Sequence, residues 1–285
     1  MKPRIGLHTS TAGALENSAV EAVRVGANCF QIFSSSPRTW RALPPDPVRV
    51  AKFRELRAKH DLHPVVIHTN YLINMASSDS ALLHKSVESF RGELDRAATI
   101  GADYLVLHPG NSKGHPTTED ALDIVAAAVA VASRGLESRG VTLLFENTAG
   151  GKNLLGGQFA ELAALRERVR RLTTLPIGFC VDTCHSLASG YNVATAEGVK
   201  LWISQLQQHL GLDNIPVFHS NDSKGALGSH VDRHANIGLG EIGEAGFRAI
   251  LQSKELRGKA FILETPFDEE GADIRDVEAL KRLSA

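Results

Sequence analysis

Short apolar runs alternate with longer helix-like segments along the whole chain, eight of each, and few folds have this order of elements. The apolar runs lie at 4–8, 28–33, 64–68, 103–108, 141–146, 177–182, 215–220 and 260–265. Their nearly continuous hydrophobicity is typical of strands that are buried on both faces of a parallel sheet. The longer segments lie at 12–25, 47–60, 79–100, 118–139, 158–171, 195–210, 242–254 and 273–283. The alternation predicts a single α/β domain, a (β/α)₈ TIM barrel, although a doubly wound open sheet has the same local order.

The sequence gives no reason to divide the chain into two domains. We find no linker, low-complexity tract or short repeat in its 285 residues, so we expect one domain over residues 1–285. It lacks an apolar stretch of about 18 residues and a signal-peptide pattern, which predicts a cytoplasmic protein with no membrane contact. The three cysteines, Cys29, Cys180 and Cys184, suit a reducing compartment.

The charged residues nearly balance, with 31 Lys and Arg against 32 Asp and Glu, and the net charge at pH 7 is −1. This balance excludes a protein coated with basic surface. Any contact with nucleic acid therefore needs a local basic patch, or bound cations that offset the phosphate charge.

Seven of the eight predicted strands end on Asp, Glu or His. The residues at the carboxyl ends of the strands are His8, Phe33, His68, His108, Glu146, Asp182, His219 and Glu264, of which His219 and Glu264 each lie one residue before the last of their run. The 32 acids and 12 histidines make up about 15% of the chain, so about one strand end in eight should carry one by chance. In a barrel these ends meet on one face, where active sites of this architecture lie.

A mixture of imidazole and carboxylate groups is typical of Zn²⁺, Mn²⁺ or Fe²⁺ sites. Two short motifs, Asp182-Thr-Cys-His185 and Asp232-Arg-His234, add His185, Asp232 and His234 to the candidates. At least nine candidate ligands are too many for one tetrahedral ion and suit two or three. We interpret Cys184, which lies between two candidate ligands, as a buried packing residue. The other histidines are interpreted as surface or core residues, namely His60, His63, His84, His115, His209 and His230.

Several segments, in their order and spacing, match one known family. The chain resembles the endonuclease IV family (deoxyribonuclease IV), the metal-dependent apurinic/apyrimidinic endonucleases of base-excision repair, along essentially its whole length. The segments that carry the resemblance are His68-Thr-Asn-Tyr-Leu-Ile-Asn74, Leu107-His-Pro-Gly110, Phe145-Glu-Asn-Thr-Ala-Gly150, Val181-Asp-Thr-Cys-His-Ser186, His219-Ser-Asn-Asp-Ser-Lys224, Gly228-Ser-His-Val-Asp-Arg-His234, Gly238-Leu-Gly-Glu-Ile-Gly243 and Ile262-Leu-Glu-Thr265.

The resemblance implies three Zn²⁺ ions, with Mn²⁺ or Fe²⁺ as alternatives at one or more sites. It implies one ion on His68, His108 and Glu146, a second on Glu146, Asp182, His219 and Glu264, and a third on His185, Asp232 and His234. Glu146 would bridge two ions and act in catalysis together with Glu264. His8 matches a position that is not a ligand in the family.

The implied reaction is hydrolysis of the phosphodiester 5′ to an abasic site, which leaves a 3′-hydroxyl and a 5′-deoxyribose phosphate. The implied partner is double-stranded DNA with abasic or damaged nucleotides, bound by a monomer. Arg38, Tyr71 and Leu72 would enter the duplex at the lesion, where one base fewer has to be unstacked, and Lys224 would reach a phosphate. Two positions depart from the family pattern, the loop Gly150–Gly157 and His230, and they bear on DNA affinity or lesion range.

Two alternatives remain open. A sugar isomerase or epimerase on the same barrel would need one divalent ion on Glu146, Asp182, His219 and Glu264, and would leave the other five candidate ligands without a purpose. A non-catalytic metal-binding or DNA-binding relative would be expected to lack a ligand, and the sequence has all nine. Metal content distinguishes the first alternative from the nuclease, because the isomerase or epimerase would bind one ion per chain and the nuclease would bind three.

Overall fold

A computed structural model describes residues 3–267 and 269–285 of the chain. Eight parallel strands close into a barrel in the order β1-β10-β7-β6-β5-β4-β3-β2, which confirms the predicted TIM barrel. Two short strands, β8 and β9, pair with each other outside the barrel. The strands are β1 (Arg4–His8), β2 (Cys29–Phe33), β3 (Val65–His68), β4 (Tyr104–Leu107), β5 (Thr142–Glu146), β6 (Ile177–Asp182), β7 (Val217–His219), β8 (Asp222–Ser223), β9 (His234–Ala235) and β10 (Ala260–Leu263).

Helices form at all eight predicted positions, seven of them between barrel strands and the last, α9, after β10. They are α1 (Leu15–Arg24), α2 (Pro47–Lys59), α3 (Ser80–Ile100), α4 (Thr118–Ser133), α5 (Phe159–Arg170), α7 (Ala196–His209), α8 (Gly243–Gln252) and α9 (Ala272–Leu283), with the short α6 (Thr183–Ala188) directly after β6. Helix α4 is six residues shorter at its end than predicted, because Gly135 adopts a left-handed conformation with φ +77°. Each helix among the described residues is too short or too polar to cross a lipid bilayer.

Side chains alternate along the strands between two layers of apolar packing. In β6, for example, Phe179 and Val181 point outward into the large core between barrel and helices. Cys180 points inward and packs with Val66, Leu144 and other residues in the barrel interior. This alternation decides which residues reach the inside of the barrel at its carboxyl end.

Gly6 lies where β1 approaches β2 most closely. A methyl group at this position would lie 1.7 Å from the carbonyl oxygen of Cys29, the residue opposite it in the sheet. We therefore expect Gly6→Ala to lower the free energy of unfolding by about 3 kcal/mol or more, the upper end for overpacking, since a backbone atom cannot move aside. Urea denaturation measures the loss.

Gly135→Ala is the matched control, because Gly135 has φ +77° and no atom within 4 Å of an added methyl group. It should cost only the left-handed strain, about 1 kcal/mol. Equal losses in the two variants would contradict the steric explanation for Gly6.

Candidate metal centre

The inward positions at the carboxyl ends of the strands carry the predicted ligands. Val66, Leu144, Cys180 and Val217 point into the barrel, so the residues two positions later do so as well. The ligand candidates placed in this way are His68, Glu146, Asp182 and His219, all of which are buried. His108 and Glu264 lie one residue beyond the ends of β4 and β10 as the structure has them.

Glu146 lies at the centre of this end of the barrel and is fully buried. Its Oε2 atom is 3.2 Å from His68 Nε2 and 3.2 Å from His108 Nε2. Its Oε1 atom is 2.8 Å from His219 Nδ1, which is also 3.3 Å from Glu264 Oε2. The two carboxylate oxygens of Glu146 thus face two different sets of ligand atoms.

The structure brings the nine predicted ligands into three groups, within each of which one ligand atom per residue lies within 4.8 Å of the others. The first group is His68, His108 and Glu146, the second is Glu146, Asp182, His219 and Glu264, and the third is His185, Asp232 and His234. These are the same sets that the family resemblance implies.

The third group depends on two short elements that the sequence does not predict. Asp182 caps α6 by accepting a hydrogen bond from the His185 backbone N–H at 2.8 Å, which turns the His185 side chain toward the site. Strand β9 starts at His234 and pairs with β8. In this group His185 Nε2 lies 3.1 Å from Asp232 Oδ1, and His234 Nε2 lies 3.6 Å from the same oxygen.

Asp222 fixes the chain that follows β9. Its buried carboxylate accepts hydrogen bonds from the backbone N–H groups of Gly238, Gly240 and Ile242, at 2.9, 3.1 and 2.9 Å. Gly240 has no room for a side chain, since a methyl group there would lie 2.4 Å from the Ser223 carbonyl oxygen. This carboxylate therefore fixes the chain that follows the third group, in addition to the pairing of β8 with β9.

Backbone carbonyl groups set the tautomers of two histidines. His68 Nδ1 donates to the Thr69 carbonyl oxygen at 2.7 Å, and His185 Nδ1 donates to the Asn147 carbonyl oxygen at 2.9 Å. A carbonyl oxygen only accepts, so Nδ1 has a proton in both rings, and Nε2 is the nitrogen that faces the carboxylates of the group. A metal-binding histidine typically has this kind of partner on its other nitrogen.

In His234 and His219, too, one ring nitrogen donates to a protein oxygen and the other faces the candidate ligands. His234 Nδ1 donates to the Glu264 carbonyl oxygen at 3.2 Å. His219 is reversed, since its Nε2 donates to Gln31 Oε1 at 2.8 Å and leaves Nδ1 toward Glu146. His234 Nε2 is buried and lacks a hydrogen-bond partner among the described residues. A buried acceptor without a partner, aimed at carboxylates, is what a metal ligand requires.

Three of the four carboxylates of the centre have lowered pKa values, whereas burial raises the pKa of Asp182. Burial opposes ionisation of Glu146, but the nearby His219 and His108 outweigh it and hold the pKa of Glu146 well below its usual range. The hydrogen bond from His185 lowers the pKa of Asp232 to about 2. Burial of Glu264 is likewise outweighed, chiefly by the charge of His219, and its pKa is about 2.

Burial keeps two imidazoles neutral, lowering the pKa of His108 and that of His8 to about 4. Within the described part of the chain, the salt bridges of the site's four carboxylates all go to histidines and none to Lys or Arg. Burial also opposes protonation of His68, His185 and His219, but the acidic groups around them outweigh it and raise the pKa of each. Carboxylates that are paired with histidine protons, and not with Lys or Arg, fit divalent ions of the zinc type, which displace such protons when they bind.

Gln31, a fully buried residue of β2, is absent from the predicted site residues, yet it joins three side chains of the site. Its Nε2 donates to Glu264 Oε1 at 2.5 Å and contacts His8 Nδ1 at 3.1 Å, while its Oε1 accepts from His219. Gln31 lies two residues before the strand end, so a search of strand ends passes over it. The alternation of inward and outward residues along CFQIF is the signal that would have found it.

Asn221 was also missed. Its side chain donates to Asp182 Oδ2 at 2.6 Å and accepts from the Glu264 backbone N–H at 2.7 Å. It therefore fixes two candidate ligands from different strands relative to each other. An Asn in a buried loop has no sequence pattern of its own that distinguishes it from a turn residue.

Cys184 comes close to Asp182 and His234 as well. Its thiol donates to the Arg233 carbonyl oxygen at 3.7 Å, and burial raises its pKa to about 12. A neutral thiol is not a metal ligand. These contacts agree with the interpretation of Cys184 as a packing residue.

The predicted DNA-contact residues lie around the centre. Tyr71 is 67% exposed, and its ring packs edge-on against Phe33 at 5.3 Å between centroids. Arg38 is exposed on the loop after β2, Leu72 is half-buried beside Tyr71, and Lys224 is exposed after β8. A cleft of about 390 Å³ that is lined by candidate ligands and by Tyr71 opens over the centre.

Fold and site together define a class of protein, the TIM-barrel enzymes with a metal centre at the carboxyl ends of the strands. A family model described as a xylose isomerase-like TIM barrel matches residues 20–283. A protein of Solibacter usitatus named "Probable endonuclease 4" is 51% identical over 281 residues, which cover 99% of this chain and 97% of that protein. The crystal structure of endonuclease IV from Thermus thermophilus matches with a TM-score of 0.87 at 38% identity, covering 99% of this chain and 98% of that one. The chain belongs to the endonuclease IV family, as its sequence motifs predict.

Similarity of fold extends further than this family. A D-tagatose 3-epimerase-like protein matches with a TM-score of 0.71 at 19% identity, over 98% of this chain and 96% of that one. At this identity the match concerns the barrel alone.

Proposed function

We propose that the protein is an apurinic/apyrimidinic endonuclease of DNA repair, which hydrolyses the phosphodiester 5′ to an abasic site in double-stranded DNA. The products would be a 3′-hydroxyl and a 5′-deoxyribose phosphate. The observation that carries the proposal is the arrangement of nine imidazole and carboxylate residues in three groups at one end of the barrel, with Glu146 shared by two of them. Membership of the endonuclease IV family supports the same reaction.

Three divalent ions, zinc in the first place, would be held by the three groups. Such ions neutralise the negative charge that develops on the phosphodiester and acidify a water molecule. Glu146 would be shared, because its two carboxylate oxygens face the histidines of different groups. His185, Asp232 and His234 would hold the third ion, near the leaving 3′ oxygen.

The chain's own catalytic task is to position the attacking water. Glu264 is ionised and half-buried at the cleft, and Gln31 and Asn221 hold its side chain and its backbone. We assign the orientation of the water to the Glu146 carboxylate, assisted by the Glu264 carboxylate. Because the pKa of Glu264 is about 2, the proton that the water loses passes to solvent. The hydrogen bonds to Gln31 and Asn221 keep Glu264 in one orientation, which shortens the path to the reactive geometry.

The loops around the cleft would open the duplex at the lesion. Tyr71 stands on the rim with most of its ring exposed, and the half-buried Leu72 lies next to it. We assign these two side chains and Arg38 to entry between base pairs, and Lys224 to contact with a phosphate. Rotating a nucleotide out of the base stack costs the least free energy at an abasic site, so side chains that enter between base pairs favour binding at the lesion.

The departures from the family pattern lie on the same rim. His230 adopts a left-handed backbone conformation with φ +56°, and its Nδ1 donates to the Ala149 carbonyl oxygen at 2.9 Å. The ring thus covers the start of the loop Gly150–Gly157, where an added methyl group on Gly150 would meet His230 at 3.0 Å. We propose that these two segments adapt to each other and adjust DNA affinity while the metal groups stay unchanged.

A nicking assay tests the proposal directly. The protein supplied with zinc should cut a duplex that has one tetrahydrofuran abasic analogue, on the 5′ side of the analogue, and should leave the matched undamaged duplex intact. Elemental analysis should give about three ions per chain, as the three groups of ligands require. An uncut abasic duplex would refute the nuclease assignment, and about one ion per chain would favour the isomerase alternative.

We propose that residues 1–285 form one domain, that the protein acts as a monomer, and that it works in the cytoplasm. Light scattering coupled to size-exclusion chromatography measures the oligomeric state, and cell fractionation measures the location.

A further inference from the structure

One buried face of helix α3 carries a row of polar residues, although the buried face of a barrel helix is ordinarily apolar. The row consists of Ser86, Ser89, Glu93 and Arg96, spaced by three, four and three residues, so that all four lie on one face of the helix. Glu93 is 1% exposed and Arg96 is 8% exposed. Buried charges are expensive and need partners, and these partners lie in two loops of the candidate site.

The first loop follows β2 and carries Arg38. Its first residue, Ser34, donates its hydroxyl proton to Glu93 Oε2 and accepts a hydrogen bond from Arg96 Nε at 2.8 Å. Arg96 and Glu93 also form a salt bridge at 3.1 Å. Gly92 makes room for this triad, because a methyl group there would lie 2.9 Å from Arg96 Nη1.

The second loop follows β3 and carries Tyr71 and Leu72. Ser89 accepts a hydrogen bond from Asn70 Nδ2 at 2.9 Å, and the Asn70 side chain in turn accepts from the Leu72 backbone N–H at 3.0 Å. One turn earlier on the helix, Ser86 accepts from the Asn74 backbone N–H at 3.0 Å. The same face of α3 thus holds both ends of this loop.

The two loops are also joined to each other. The Tyr71 backbone N–H donates to the Pro37 carbonyl oxygen at 3.1 Å, next to Arg38. The Phe33 ring, which precedes Ser34, packs against the Tyr71 ring. A shift at Ser34 is therefore transmitted to Tyr71 through two contacts.

We propose that the polar face of α3 positions the DNA-entering loops, with Glu93 and Arg96 acting through Ser34 and with Ser86 and Ser89 acting through Asn70 and Asn74. The inference rests on the proposed function of Arg38, Tyr71 and Leu72. Glu93 and Arg96 are positioning residues, remote from the three metal groups. A buried, fully paired polar network specifies one geometry where apolar packing tolerates several.

Ser34→Ala is the primary test, since it cuts the link to the loop and leaves the Glu93–Arg96 pair together. It should raise KM for the abasic duplex about tenfold, the range for a lost hydrogen bond to charged groups, and leave kcat within about twofold. Hydrolysis of bis(p-nitrophenyl) phosphate, a small diester that does not need the loops, should be unchanged. The fluorescence rise of 2-aminopurine opposite the abasic site on binding, which reports unstacking, should be smaller.

Two variants control the experiment. Ser34→Thr retains the hydroxyl group and should restore KM. Glu88→Gln changes an exposed acid on the same helix, with 68% side-chain exposure, and should leave every measurement unchanged. In combination with Tyr71→Ala, the effect of Ser34→Ala on KM should shrink, because a residue that acts through Tyr71 has less to act on once that ring is gone.

The outcomes are separable from those of the proposed function. A wild-type protein that fails to nick the abasic duplex refutes the function. A wild-type protein that nicks it, beside a Ser34→Ala variant with unchanged KM and unchanged 2-aminopurine signal, refutes the positioning role alone. Equal losses with the duplex and with the small diester would mean a general defect of the site and would also overturn it.

Discussion

Glu146→Gln should abolish nicking of the abasic duplex, with a loss of at least about 10³-fold in kcat/KM, equivalent to roughly 4 kcal/mol of transition-state stabilisation. The substitution keeps the size of the side chain and removes the negative charge that two groups of ligands share. The amide also replaces one acceptor oxygen by a donor, which then faces a histidine nitrogen at about the 2.8 to 3.2 Å now measured for the carboxylate. Gel-based nicking assays and elemental analysis on the same preparation measure the two consequences.

The control for this variant is Glu167→Gln, which changes an acid on the outer face of α5 with 58% side-chain exposure. It should cut the abasic duplex at the wild-type rate and retain the full ion content. Circular dichroism of both variants establishes that the barrel is formed. Undiminished cutting by a folded Glu146→Gln protein would rule out the shared carboxylate as the centre of the site.

His234→Ala should lower nicking by about 10²-fold and reduce the ion content by one per chain. Without His234 the third group has only His185 and Asp232, and Asp232 is 57% exposed. Two side chains, one of them open to solvent, hold a divalent ion poorly compared with three. The ions of the other two groups should stay bound, since His234 belongs to neither.

The matched control is His84→Ala, because His84 is 73% exposed on α3 and lies outside the three groups. It should behave like the wild-type protein in both measurements. Wild-type turnover in His234→Ala with an unchanged ion content would remove His234 from the site. Loss of all ions would instead mean that the three groups depend on one another.

The sequence predicts best those site residues that lie at the ends of strands. Apolar runs such as VTLLFE are short, nearly uninterrupted and directly followed by a polar segment, so both the strand and its last inward residue can be identified. Glu146 and Asp182 are located in this way, and they lie at the ends of β5 and β6. The continuous apolar run alone suffices there, because burial on both faces leaves little choice of residue.

The missed features depend on contacts across the barrel. Gln31 becomes part of the site only because β2 lies beside β1 and because its side chain reaches Glu264, 233 positions later in the sequence. The pairing of β8 with β9 involves two residues on each strand, too few for any pattern to appear. Helix α6, six residues long, starts directly at a candidate ligand and so reads as a turn. The β8–β9 pairing and α6 thus have no local signal, whereas for Gln31 the alternation along β2 indicates the inward direction but not the partners.

The carboxylate of Asp222 ties β8 to the start of α8, because three backbone N–H groups between residues 238 and 242 donate to it. The segment 222–243 also depends on its surroundings, since Asp276 accepts hydrogen bonds from the Asn236 side chain and the Ile237 backbone N–H. For protein engineering, a transplant of this segment into another barrel would therefore have to include Asp222 and find a counterpart of Asp276 in the host. The host would also have to supply a histidine in the place of His185 to complete the third group.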